Sequence, residues 1–115
     1  MPRDFNRAER VGRQLQKELA DLIRNQLKDP RLGMVTVQAV RLSRDLSHAK
    51  VYVTLFDAAE RKQQLGLLKD AAPFLRREIG HRMRLRITPV LEFVYDESIE
   101  QGAHLSELIE RALRQ

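Results

Sequence analysis

The densest chemical signal in the sequence is a run of arginines in residues 74–86. This thirteen-residue segment holds five arginines and one acidic residue, the arginines being Arg76, Arg77, Arg82, Arg84 and Arg86. Arginine presents a planar, permanently charged fork of donors that matches the oxygens of a phosphate group. The pattern indicates contact with a phosphate-rich polymer such as nucleic acid. The alternative is a solvated helix face whose arginine stems cover apolar neighbours.

Charge is distributed unevenly over the whole chain. Residues 1–86 carry 19 basic and 10 acidic side chains, a net charge of +9, whereas residues 87–115 carry 2 and 6, a net charge of −4. Most of the basic residues are arginine, a bias that a GC-rich genome would also produce. With an isoelectric point near 10.1, this asymmetric field predicts a polyanionic partner, of which nucleic acid is the commonest.

Residues suited to catalysis or metal binding are sparse and scattered. The chain has no cysteine, which excludes disulfides, thiolate metal sites and cysteine nucleophiles. His48, His81 and His104 fall on different predicted elements, and no glycine-rich phosphate loop occurs. We therefore expect a protein that is not an enzyme and uses no cofactor, metal or small-molecule substrate. A small metal-dependent hydrolase stays open as an alternative, and it would need Asp96, Glu97 and His81 assembled in three dimensions.

Length and hydropathy place the chain among folded soluble proteins. Its 115 residues are 43% hydrophobic and 32% charged, which is typical of one compact domain. The N-terminal residues contain no apolar stretch of signal-peptide or membrane-spanning length. We expect a cytoplasmic protein without a membrane partner.

Apolar periodicity predicts the elements that position the arginines. The first is a helix whose apolar positions run from Ala8 to Leu27. The others are strands over residues 34–42 and 48–56, helices from about residue 58, a strand over about 85–95 and an acidic helix over 98–115. Proline is poorly tolerated inside a helix, so we expect two helices meeting at a kink formed by Ala71, Ala72 and Pro73.

The order α-β-β-α-α-β-α predicts an α+β fold. A strand that returns to the same sheet after a helical crossover pairs in parallel, which gives a three-stranded mixed sheet with helices on one face. No strand carries the paired aromatic residues of an RRM platform, so RNA readout as in a KH domain fits better than base stacking on the sheet. Another open alternative is a protein-interaction domain whose acidic last helix docks a basic partner.

Four motifs together resemble the bacterial ribosome-binding factor A family. They are Arg7-x-x-Arg10-Val11; Asp29-Pro30-Arg31; Leu42-Ser43-Arg44-Asp45-Leu46 followed by Ala49-Lys50-Val51-Tyr52-Val53; and Arg82-Met83-x-Leu85-Arg86-x-x-Pro89-x-Leu91-x-Phe93. Each motif alone is weak, but all four in this order are specific, and the similarity covers nearly the whole chain.

The resemblance implies a type II KH-like domain over residues 1–115, with an acidic helix or tail at 98–115. It further implies a monomeric cytoplasmic protein that binds the small (30S) ribosomal subunit and its rRNA. Members of the family assist late maturation and 5′-end processing of 16S rRNA, especially in the cold, and they are not enzymes. The alternative is a generic KH-type RNA-binding module without particle specificity.

The chain departs from the family at the interhelical kink. KH domains clamp the nucleic-acid backbone with a glycine-rich loop, the family replaces it with an Ala-x-Gly kink, and the corresponding stretch here is Ala71-Ala72-Pro73. Proline removes one N–H donor from that position. We therefore expect rRNA to be bound by side chains, namely Arg76, Arg77, Arg82, Arg84 and Arg86, joined by Arg7, Arg10, Arg44 and Lys50.

Overall fold

Two long helices and three strands form the part of the chain that the structure describes. The computed structural model describes residues 3–27, 29–55, 60–97 and 112–113, with side chains from Arg7 onward. The elements are α1 (Arg3–Asn25), β1 (Val35–Leu42), β2 (His48–Leu55), α2 (Arg61–Met83) and β3 (Val90–Tyr95). Within these ranges no helix is both long and apolar enough to cross a bilayer.

The three strands form one mixed sheet in the order β1-β2-β3. Strand β1 runs antiparallel to β2, and β3 runs parallel to β2 after the crossover through α2. This confirms the predicted α+β class and the three-stranded mixed sheet. Since β2 is central, the clean alternation of its side chains reports which face of the whole sheet is buried.

Both helices pack on the same face of the sheet, as predicted. The core side chains come from the inward stripes of the helices and from alternate positions of the strands: Leu15, Leu19, Leu22, Leu68, Leu75, Ile79, Val51, Val53 and Phe93. Burial of each such side chain contributes roughly 1.5–3 kcal/mol. The opposite face of β2 and β3 carries Lys50 and Glu92, which are both exposed.

Helix α1 approaches the edge strand β1 very closely. A Cβ added at Gly12 would lie 3.2 Å from the carbonyl oxygen of Val40. One turn further on, the side-chain amide of Gln16 donates to the carbonyl oxygens of Val37 at 3.2 Å and Gln38 at 3.1 Å. The register of β1 shifts at this point, so Gln16 satisfies backbone acceptors at a β-bulge.

The prediction of two helices meeting at Ala71, Ala72 and Pro73 is wrong. Residues 61–83 form a single helix with Pro73 inside it. The physical reason is that Leu68 and Leu75, on either side of the proline, are both fully buried in the same core. Packing of both halves outweighs a penalty of about 3 kcal/mol for an interior proline.

The predicted start of the third strand is also wrong. Strand β3 begins at Val90 rather than near residue 85. Helix α2 ends at Met83, and the next residue, Arg84, takes the left-handed conformation with φ 51°. The buried Pro89 has no N–H to donate to a neighbouring strand. The expected acidic helix over 98–115 lies outside the described residues except for positions 112–113, as does Phe56 at the end of the predicted second strand.

Candidate nucleic-acid interface

The arginine-rich segment finishes helix α2 and continues into a loop at residues 84–89. The side chain of Arg76, which lies about two helical turns before Met83, contacts this loop. Its Nε and Nη2 atoms donate to the carbonyl oxygen of Thr88 at 3.2 and 3.0 Å. Two of the donors of Arg76 therefore fix the loop against the helix.

The far end of the same loop is fixed to the hairpin between β1 and β2. The backbone N–H of Val90 donates to the carbonyl oxygen of Ser47 at 2.8 Å, and Pro89 beside it is fully buried. The loop thus connects two rigid elements, and it exposes Arg84, Arg86 and Ile87 between its anchors.

One side of the loop borders a concavity on helix α2, which we call the helix groove. It has a volume of about 510 Å³ and is lined by Pro73, Arg76, Arg77, Gly80, His81 and Thr88. Arg77 is exposed there, and no hydrogen bond or ion pair engages it within the described residues. The groove therefore presents a cation that can meet a phosphate without first breaking an internal contact.

The other side of the loop borders a second concavity, which we call the arginine cleft. It has a volume of about 320 Å³ and is lined by Arg7, Arg44, Asp45, Leu46, Leu85, Arg86 and Ile87. Three predicted arginines that are far apart in the sequence meet here, from the first turns of α1, the β1–β2 turn and the loop at 84–89. In the described part of the chain none of the three has an ion-pair or hydrogen-bond partner.

Hydrogen bonds to one carboxylate hold the turn that carries Arg44. The Oδ1 atom of Asp45 accepts hydrogen bonds from the hydroxyls of Ser43 and Ser47, each at 2.7 Å, and from the N–H of Ser47 at 3.1 Å. These bonds to Ser47 and Ser43 lower the pKa of Asp45 to about 2, so its carboxylate stays ionised. Leu46 takes a left-handed backbone with φ 62°, which closes the turn.

Arg82, in contrast, is paired at the surface with two carboxylates of α1. Its Nη1 atom lies 2.7 Å from Asp21 Oδ2 and 3.0 Å from Glu18 Oε2, joining α2 to α1. Donating a hydrogen bond to Asp21, and a second one to Glu18, raises the pKa of Arg82, and accepting the bond from Arg82 lowers the pKa of Asp21. The geometry assigns Arg82 a role in joining the helices.

Arg10 and Lys50 line neither concavity. Arg10 is exposed on α1. Lys50 is exposed on the open face of the sheet, in register with Arg41 on one neighbour and Glu92 on the other. The structure therefore divides the nine predicted binding residues among two concave sites, one helix–helix contact and three exposed positions that line neither concavity, namely Arg10, Lys50 and Arg84.

No group of three or more His, Asp or Glu side chains in the described ranges is placed to hold a metal ion. His81 lines the helix groove, whereas Asp96 follows β3, where its N–H donates to the carbonyl of Val53 at 2.8 Å. The metal-dependent hydrolase alternative thus receives no support from these residues.

A family comparison decides what kind of protein carries this surface. The family model described as ribosome-binding factor A matches residues 7–109. The chain belongs to the ribosome-binding factor A family. The resemblance read from the four sequence motifs is confirmed.

Family members of known sequence and structure match most of this chain, and the solved structures share its fold. Ribosome-binding factor A from Thioalkalivibrio sulfidiphilus is 56% identical over 98% of this chain and 88% of its own. The crystal structure from Thermus thermophilus is 40% identical, with a TM-score of 0.71 over 76% of this chain and 94% of its own. A T. thermophilus homology model, fitted into a cryo-EM map of its complex with the 30S subunit, is 37% identical, with a TM-score of 0.66 over 78% of this chain and 96% of its own.

The structure places one of the predicted kink residues, and several residues that were not predicted, in the linings of the two concavities. Pro73 lies on the wall of the helix groove rather than between two helices. The sequence patterns did not single out Thr88, Leu85 or Ile87 as parts of a site. Ile87 is 56% exposed in the structure, which places it at the surface of the loop rather than in a buried strand.

Proposed function

We propose that this protein is a ribosome assembly factor that binds the immature small subunit. It assists late maturation and 5′-end processing of 16S rRNA, with its largest effect at low temperature. The observation that carries the proposal is the family match over residues 7–109. It is supported by a family member whose model is fitted into a map of its 30S complex.

The surface around the loop at 84–89 is the part of the described protein best suited to meet rRNA. We assign phosphate neutralisation there to residues without internal partners in the described ranges: Arg7, Arg44, Arg77, Arg84 and Arg86. Arg10 and Lys50 add charge at the periphery. Arg76 and Arg82 act mainly on the protein itself, since their donors are used by Thr88 and by the carboxylates of α1.

The factor acts by binding alone, as one KH-like domain over residues 1–115 that works as a cytoplasmic monomer without cofactor or small-molecule substrate. A binder biases an RNA between two conformations only by the difference in its affinity for them. A ten-fold preference for the immature particle corresponds to about 1.4 kcal/mol. Preference for that particle is therefore what the function requires.

Sedimentation of a cold-grown lysate tests this proposal. Gradient fractions are blotted for the protein and assayed for precursor 16S rRNA. We expect the protein to migrate with free small subunits that are enriched in unprocessed rRNA, and to be absent from translating ribosomes. Spreading over all RNA-containing fractions would favour a generic RNA-binding module, and a position at the top of the gradient at low salt would contradict ribosome association.

A further inference from the structure

We propose that the arginine cleft is a binding site for one nucleotide of single-stranded RNA. Its arginines hold the phosphates, and its apolar floor receives the base. This inference rests on the proposed function and deepens it, because it names the chemical unit of the RNA that one defined site takes.

Charge is the first observation that carries the site. Arg7, Arg44 and Arg86 bring three guanidinium groups to one concavity, and none is neutralised by another described residue. Asp45 also lines the cleft, but the hydrogen bonds of its own turn occupy its Oδ1 atom. The lining keeps a formal net charge of +2, which favours an anion over any neutral or cationic ligand.

Apolar lining is the second observation. Leu46 and Leu85 are half-buried beside the arginines, and Ile87 is 56% exposed at the same cleft. Three aliphatic side chains offer no charge and no hydrogen-bond donor to a phosphate group, so their presence indicates a ligand with an apolar part. An unpaired nucleotide combines an anionic phosphate with an apolar base face, and unpaired bases stack on apolar side chains and on guanidinium planes.

Size and rigidity are the third observation. The cleft volume of about 320 Å³ lies at the lower end of the range of roughly 300–1,000 Å³ for small-ligand sites, so it admits one nucleotide but not a duplex. Its two walls are joined by the hydrogen bond from Val90 to Ser47. One wall is further fixed by Asp45 and the other by Arg76 through Thr88. A preformed site loses little conformational entropy on binding.

The experiment measures binding of a fluorescently labelled oligouridylate of about six nucleotides by anisotropy, with an unlabelled RNA duplex as competitor. The variants are Arg44→Ala, Arg86→Ala and Ile87→Asn. Arg24→Ala is the matched control, because it removes one exposed arginine of α1 about 25 Å along the helix from Arg7. That distance exceeds the screening length at physiological salt of about 8 Å.

We expect Arg44→Ala and Arg86→Ala each to weaken oligouridylate binding about ten-fold, and Arg24→Ala to change it less than about two-fold. Ile87→Asn should weaken the affinity for the single strand about three-fold while leaving unchanged the affinity for the duplex that is calculated from its competition. All four positions are exposed, so the melting temperatures of the variants should match that of the wild type.

The inference is overturned if the cleft variants bind oligouridylate as tightly as Arg24→Ala does. It is also overturned if Ile87→Asn weakens duplex and single strand equally, or if the wild type shows no binding to the oligonucleotide. Cosedimentation of the same wild-type protein with purified small subunits separates this failure from that of the proposed function. If the cleft variants bind oligouridylate normally but the wild type still binds the small subunit, only the nucleotide site is contradicted. If the wild type does not bind the small subunit, the proposed function itself is contradicted.

Discussion

Replacing Gly80 by alanine tests whether the loop at 84–89 is packed directly on helix α2. A Cβ added at Gly80 would lie 3.0 Å from the Oγ1 atom of Thr88, the residue whose carbonyl is held by Arg76. A Cβ added at Gly66 in the same helix would meet nothing within 4 Å. Gly66→Ala is therefore the matched control, since both changes add one methyl group to the interior of one helix.

The two substitutions share one energy term and differ in another. Alanine is favoured over glycine in a helix interior by about 1 kcal/mol, so Gly66→Ala should raise the free energy of unfolding by that amount and the melting temperature by about 4 °C. Gly80→Ala gains the same helix term but crowds Thr88, at an overpacking cost of typically 1–3 kcal/mol. We expect Gly80→Ala to be about 1–3 kcal/mol less stable than Gly66→Ala.

Urea denaturation followed by circular dichroism measures this difference. A Thr88→Ala change in the Gly80→Ala background removes the crowded atom and should recover most of the loss. If Gly80→Ala instead stabilises the protein as much as Gly66→Ala does, Thr88 does not pack on the helix as described. The shape of both concavities would then need revision, because the loop at 84–89 borders each of them.

Further predictions address the core, the helix contact, the turn and the groove. Ile79→Ala should lower the free energy of unfolding by about 2–5 kcal/mol in urea denaturation, because Ile79 is fully buried; a loss below 1 kcal/mol would contradict the packing. Arg82→Ala should reduce the free energy of unfolding at neutral pH and have no such effect in acid. The contact with Arg82 lowers the pKa of Asp21 in the folded state, so it stabilises the fold above the unfolded-state pKa, and this stabilisation is lost as the pH falls through the folded-state pKa. A difference in stability that does not depend on pH would count against the contact. An NMR titration should find the Asp45 carboxyl titrating at about 2, and an ordinary value would mean that the turn is not held as described. Arg77→Ala should weaken rRNA binding without changing the melting temperature. It should also reduce by about 1 the slope of the logarithm of the binding constant against the logarithm of the salt concentration. An unchanged slope would show that Arg77 is not part of the interface.

Strand β2 shows how much of the fold could be predicted from the sequence. Ala49, Val51, Val53 and Leu55 alternate with polar residues, and all four are buried on the helix-covered face. The alternation is informative because β2 is central and its alternate residues are less buried, so period-two hydropathy and burial coincide. The parallel return of β3 follows equally from the helical crossover.

Pro73 and the start of β3 show where local signals fail. The intrinsic helix penalty of proline is overcome by tertiary packing of Leu68 and Leu75, which no local window reveals. The alternating apolar residues Leu85 and Ile87 imitate a strand, but they flank the arginine cleft instead.

The candidate binding residues were predicted as one set. Their spacing in the sequence could not distinguish residues that contact other parts of the protein from residues that are available to RNA. Arg82 meets carboxylates that lie more than sixty positions earlier in the chain, which only the tertiary fold brings near. Arg7, Arg44 and Arg86 converge for the same reason, because the first helix, the hairpin turn and the loop at 84–89 meet at one end of the sheet. Sequence alone shows the excess of positive charge, whereas the fold decides which charges have internal partners.

The central claim is that the protein prefers immature small subunits, and a comparison of two affinities tests it most directly. Binding of the labelled protein to purified precursor subunits and to mature subunits is measured at one fixed salt concentration, since affinities for RNA vary steeply with salt. We predict at least about ten-fold tighter binding to the precursor particle. Equal affinity for the two particles would contradict the claim, because a ligand that binds both states equally shifts neither.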